Sequence, residues 1–97
     1  MRRAAKVDKN QTEIVAALRA AGASVVPLHA VGNGCPDLLV GYGGKNLLIE
    51  VKDETGRAVN KGRDLSKALT KDQHKFHFFW QGQLAVVWSA EEALSLL

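Results

Sequence analysis

The stretch Pro36-Asp37-Leu38-Leu39-Val40-Gly41-Tyr42-Gly43-Gly44-Lys45-Asn46-Leu47-Leu48-Ile49-Glu50-Val51-Lys52 decides how the chain folds. Two apolar runs, Asp37 to Tyr42 and Asn46 to Lys52, flank Tyr42-Gly43-Gly44-Lys45, the pattern of a β-hairpin. With the turn centred between Gly43 and Gly44, partner residue numbers across the ladder sum to 87, which sets Asp37 opposite Glu50 on one face. Glu50 and Lys52 lie two apart on one strand and share that face, ~6.6 Å from each other along it. The strand pair therefore gathers two carboxylates and one ammonium. A three-residue turn would shift the register and break the set unless a bulge restored it.

On either side of the hairpin the pattern alternates between helix and strand. Residues 10–21 read as an amphipathic helix with Ile14, Leu18 and Ala21 on one stripe, Val15 beside it and Gly22 behind it. Asn10 and Glu13 have the spacing of a capping box. Ser24 to Ala30 reads as a strand weakened by Pro27, and Gly32-Asn33-Gly34 as a turn. Glu54 to Leu69 is polar and reads as a long loop with a short helical turn, of a length that is usually functional or disordered. Thr70 opens a helix to about Gln81, Leu84 to Trp88 reads as a strand, and Ser89 caps a last helix through Leu96. The order α, β, β-hairpin, α, β, α predicts an α/β fold, a mixed central sheet flanked by helices.

Ninety-seven residues, 46% of them apolar, suit a single domain over 1–97 and argue against disorder. Thirteen Lys and Arg against ten Asp and Glu leave +3, a balance that permits a nucleic-acid partner without demanding one. The cations cluster: Arg2, Arg3, Lys6 and Lys9 outweigh Asp8, and residues 52–75 carry a second local excess that includes Lys61, Arg63, Lys67 and Lys71. Each cluster reads equally as a solvated segment or as a track for a polyanion. The lone Cys35 excludes an internal disulfide framework and a cysteine-rich zinc site. No apolar run nears the ~20 residues that span a bilayer, and the basic start leads into polar residues rather than a signal peptide. A soluble, cytoplasmic protein is the expectation.

Two carboxylates and a lysine at this spacing suit metal-assisted phosphodiester hydrolysis. Carboxylates are hard ligands for Mg²⁺ or Mn²⁺, the metal acidifies a bound water, and the lysine orients that water and offsets growing charge. Val51 offers the cation a backbone carbonyl. A Glu-x-Lys triplet alone is a short pattern, and an exposed salt-bridged strand edge is its commoner explanation. Here Glu50 and Lys52 interrupt Leu47, Leu48, Ile49 and Val51, a run that otherwise reads as a buried strand, and charges there need a reason.

Gly34-Cys35-Pro36-Asp37-Leu38-Leu39-Val40, Leu48-Ile49-Glu50-Val51-Lys52 and Leu69-Thr70-Lys71-Asp72-Gln73 together resemble the PD-(D/E)XK nucleases, and most of all their VRR-NUC (virus-type replication-repair nuclease) domain, over about residues 12–88. The resemblance implies a small restriction-endonuclease-like core. It implies Asp37 and Glu50 as ligands of Mg²⁺ or Mn²⁺, Lys52 as the catalytic lysine, Gln73 as a polar active-site residue and Glu13 as an accessory ligand or water-holder. Thr70-x-x-Gln73 is equally a capping box, and Glu13 equally a helix-capping residue. The connection from Asp53 to Ala68 is longer than the family's usual short one.

Structure-selective cleavage of branched DNA such as four-way (Holliday) junctions is the implied activity, in the cytoplasm of a cell or of a phage-infected bacterium. Restriction-like duplex cleavage ranks second; a DNA-binding module without catalysis and a structural subunit are the rivals. Arg2, Arg3, Lys6, Lys61, Arg63, Lys67 and Lys71 would hold the DNA backbone. His29, His74 and His77 form no metal-ligand pattern with Cys35, which has no evident base, and Gly41 to Gly44 lacks the lysine and helix of a phosphate loop. The aromatics of Phe76-His77-Phe78-Phe79-Trp80 spread round more of a helix than one core stripe needs, so Phe78 or Trp80 is expected at a homodimer interface.

Overall fold

The computed structural model describes residues 9–53 and 65–97. In chain order these form α1 (Lys9–Ala20), β1 (Ser24–Pro27), β2 (Leu38–Tyr42), β3 (Lys45–Val51), α2 (Leu65–Ala68), α3 (Lys71–Phe79), β4 (Leu84–Val87) and α4 (Ala90–Leu94). The residues Arg2, Arg3, Lys6, Lys61 and Arg63, expected to hold a DNA backbone, lie outside the described residues.

Gly43 and Gly44, at φ 60° and 82°, close a two-residue turn that pairs Tyr42 with Lys45. Two successive positive φ values are what a tight hairpin requires and what glycine supplies without strain. The ladder continues Gly41 to Asn46, Val40 to Leu47, Leu39 to Leu48 and Leu38 to Ile49, the register that the sequence predicts. Strand β1 pairs antiparallel with β2, and β4 pairs parallel with β3, giving the sheet order β1-β2-β3-β4. The fold is a small α/β one with a mixed sheet, as expected.

Alternation divides the sheet into two faces. One carries Val25, Leu38, Val40, Ile49, Val51 and Val87, which pack with Ile14 and Leu18 of α1 and Ala93 of α4 into the hydrophobic core. The other carries Glu50 and Lys52, over which α3 lies. Strand β3 is interior to the sheet, and Leu48, Ile49, Glu50 and Val51 are all buried, two toward each face. Ile14, Leu18, Leu38 and Ile49 are wholly buried, and each contributes roughly 1.5–3 kcal/mol relative to exposure.

Some boundaries differ from those the sequence predicts. Strand β1 stops at Pro27 rather than Ala30, since the following residues turn, with Val31 N–H bonded to the Leu28 carbonyl. Helix α1 already includes Lys9, so Asn10 sits within the helix instead of capping it. Helix α3 ends at Phe79 rather than Gln81: Trp80 is extended (φ −69°, ψ 129°) and donates its N–H to the Phe76 carbonyl. Ser89 does cap α4, accepting from Glu92 N–H, but the helix stops at Leu94. Among the described residues no helix is long and apolar enough to cross a membrane.

Candidate active site

Asp37 stands just before β2, held by its neighbours on both sides. Pro36 is buried and fixes the chain's approach, while Asp37's carbonyl accepts the Leu28 N–H at 2.7 Å. The Asp37 carboxylate Oδ2 accepts the Val51 N–H at 2.8 Å. Its side chain thus extends the β2–β3 ladder one step past the last backbone pair, on the line where the register sets it against Glu50. A strand residue turns its N–H and C=O to the same side, so the Val51 carbonyl faces Asp37 too.

Glu50 is only 2% exposed and lies within a charged cluster. Its Oε2 accepts from Gln73 Nε2 at 3.0 Å and pairs with Lys52 Nζ at 3.7 Å. Its Oε1 is buried with no hydrogen-bond partner among the described residues. Burial first, and the neighbouring Asp37 carboxyl second, push the Glu50 carboxyl up to about 8, against the opposing pull of Lys52. A buried carboxylate with an orphaned oxygen and a second carboxylate alongside is a place short of positive charge.

Lys52 and Gln73 complete the cluster. Lys52 Nζ donates to Gln73 Oε1 at 2.8 Å, and the same oxygen accepts the Thr70 N–H at 2.9 Å. Thr70 Oγ1 in turn accepts the Gln73 N–H at 3.2 Å, completing the capping box that starts α3. The capping reading of Gln73 therefore holds, and the same amide that closes the helix also grips the lysine and donates to the carboxylate.

The helix is placed by a loop. Gly34, at φ 78°, packs so tightly on α3 that a Cβ there would overlap the Asp72 carbonyl and come 2.8 Å from Gln73 N. Asn10 ties the strand ends at Lys52, its Nδ2 donating to the carbonyls of Lys52 (2.6 Å) and Trp88 (3.1 Å) just past β3 and β4. The sequence marks Gly34 only through the glycine density of Gly32-Asn33-Gly34, and Asn10 only as a local cap. Cys35 lies near the carboxylates; burial, Glu50 and Asp37 all push its thiol up, which keeps it protonated and a poor nucleophile. Burial, His74 and Lys52 depress His77, so its imidazole stays neutral.

The structure brings together Asp37, Glu50, Val51, Lys52 and Gln73. It does not bring Glu13, which is exposed on α1; among the described residues no three His, Cys, Asp or Glu gather as a metal-ligand group. Two carboxylates and a carbonyl are hard oxygen donors, the kind that Mg²⁺ or Mn²⁺ takes together with water and substrate phosphate. Lys67 and Lys71 are exposed near the start of α3. No family model matches the chain, and neither the curated proteins nor the solved structures contain a significant match to it.

Proposed function

We propose that the chain is a metal-dependent endodeoxyribonuclease of the PD-(D/E)XK kind, selective for branched DNA such as four-way junctions. The observation that carries this reading is the single network Asp37–Val51–Glu50–Lys52–Gln73, in which Glu50 Oε1 is buried with no hydrogen-bond partner among the described residues. Two carboxyls crowded together at a buried position, with a lysine and an amide alongside, form a group that a divalent cation would relieve. The resemblance of the sequence motifs to VRR-NUC domains supports the choice of DNA and of branched substrates.

Asp37, Glu50 and the Val51 carbonyl would hold Mg²⁺ or Mn²⁺. Such an ion, when bound, would supply Lewis acidity toward a water and the scissile phosphate. Lys52, held by Gln73 and by Glu50, presents its ammonium to that water and to a phosphate oxygen. Gln73 restricts the lysine to one direction, which saves the reorganisation a free side chain would need. Lys71 begins α3, where the helix dipole disfavours a cation; an approaching DNA phosphate would relieve that.

The test is incubation of the purified protein with end-labelled four-way junction, flap, duplex and single-stranded DNA in Mg²⁺, Mn²⁺ or EDTA, beside Lys52→Ala. Metal-dependent cutting that the variant lacks supports the reading, and the preferred substrate fixes its specificity. Salt-sensitive binding with no cutting would assign a binding module instead.

A further inference from the structure

Beside the catalytic cluster, α3 and the loop before β2 enclose a cleft of about 410 Å³ lined by Asn33, Asp72, Lys75, Phe76, Phe79 and Trp80. Asp72, Lys75, Phe76 and Phe79 follow the i, i+3, i+4, i+7 spacing of one helix stripe. It lies next to the stripe bearing Gln73. Both walls lead to the catalytic groups: the loop runs from Asn33 to Asp37, and the helix from Phe79 back to Gln73, ~9 Å along its axis.

The aromatics here are displayed rather than packed. Phe79 is 65% exposed and Phe78 79%, with the two rings edge to face at 4.9 Å. Trp80 stacks on Phe76 at 5.3 Å and 17°, so its plane is fixed in advance by a neighbour. Leaving such rings in water forgoes burial worth roughly 1.5–3 kcal/mol for a Phe. Charged side chains share the cleft, whereas the centre of a protein–protein interface is depleted of them.

We infer that this cleft takes an unpaired nucleobase of the DNA substrate, stacked on Phe79 and Trp80, one or two nucleotides from the scissile phosphate. The inference rests on the nuclease reading for its substrate and deepens it: single-stranded character beside the cut is what the protein recognises. Aromatic faces accept any base. Lys75 offers its ammonium to the flanking phosphate. Asp72 would repel a phosphate but can accept from an exocyclic amine, so the base, not the backbone, enters.

The test uses the whole protein in EDTA, so that the readout does not depend on cleavage. The probes are a flap DNA with 2-aminopurine in its unpaired arm and a fully paired duplex carrying the same label. Quenching of the flap label and a preference for the flap are expected. Phe79→Ala should reduce that preference roughly tenfold; Phe79→Tyr should restore it, and Phe79→Leu should not. Absence of quenching, an unchanged preference in Phe79→Ala, or full rescue by Leu would overturn the inference. So would sedimentation showing that Phe79→Ala only dissociates a dimer, which would give the surface to a second copy of the chain. Cutting in Mg²⁺ without a flap preference defeats the inference and leaves the nuclease reading intact. Quenching and preference without cutting do the reverse.

Discussion

Gln73 Oε1 accepts hydrogen bonds from Lys52 Nζ at 2.8 Å and from the Thr70 backbone at 2.9 Å, so one oxygen links a helix start to the candidate catalytic lysine. The two roles separate by substitution. Thr70→Ala removes only the cap to Gln73 N–H and is expected to cost about 1 kcal/mol, with turnover below the melting range nearly unchanged. Gln73→Ala should cost a similar amount of stability and also lower kcat about 10-fold to 100-fold, because Lys52 loses its guide. Gln73→Glu keeps the capping pattern but sets a third carboxyl against Glu50, so it should fold and cut poorly. Thermal melts beside single-turnover cleavage would read these outcomes; equal cleavage by all three variants would reduce Gln73 to a cap.

Glu50 predicts the pH behaviour. Its carboxyl keeps a proton up to about pH 8 in the folded chain, whereas its ordinary value is 4.5. Between those values the native state binds more protons than the unfolded one, so stability of the protein in EDTA falls as pH rises, by at most about 1.4 kcal/mol per unit. Above about 8 this group adds no further slope. Urea melts across that range should show the fall, and Glu50→Gln should flatten it while abolishing cleavage. A cation must displace the proton, so Mg²⁺ affinity should rise with pH toward 8. Calorimetry at pH 7 in two buffers of different ionisation heat should find a proton released; no release would remove Glu50 from the ligand set.

Sheet register and the carboxylate pair were legible because a side-chain period of two and a Gly43-Gly44 turn leave little freedom in how Asp37 meets Glu50. The predicted pairing sum reappears in every β2–β3 partner from Tyr42 and Lys45 to Leu38 and Ile49. Glu13 was placed by spacing along a helix, and spacing says nothing of how that helix is rotated over the sheet; packing of Ile14 and Leu18 into the core leaves Glu13 exposed. Asn10 was read as a local cap because its strongest sequence neighbour is Glu13. Its actual partners, the carbonyls of Lys52 and Trp88, are 42 and 78 residues away. Long-range backbone contacts of that kind leave no periodic trace. The same holds for Gly34, whose reason is the backbone of Asp72 and Gln73.

Gly34 is therefore a strong test of how α3 is positioned. Gly34→Ala must both strain a backbone at φ 78° and push a methyl into the first turn of α3. Strain at positive φ alone costs roughly 1–2 kcal/mol, and the clash with backbone adds to it. We expect a loss of about 2 kcal/mol or more, and a fall in cleavage larger than Thr70→Ala produces, since Gln73 moves with the helix. Equilibrium unfolding paired with cleavage assays would show it; wild-type stability and turnover would mean that the loop and α3 are not in close contact.

Asn10 supplies the last prediction, at the end of β3 that also carries Lys52. Its amide donates at 2.6 Å to the Lys52 carbonyl and at 3.1 Å to that of Trp88, so one side chain holds the ends of β3 and β4 together. Asn10→Ala leaves two part-buried carbonyls without this donor and should cost about 1–2 kcal/mol. Asn10→Asp is the sharper variant. Ionised, it has no proton to donate and points negative charge at two carbonyl oxygens. Protonated, it regains one donor and matches one of the two bonds. Asn10→Asp should then be less stable than Asn10→Ala at pH 7 and recover relative to it toward pH 4, because the folded state raises the carboxyl's affinity for a proton. Urea melts of both variants at the two pH values decide the matter: a constant gap between them would show that the amide does not bridge the strand ends.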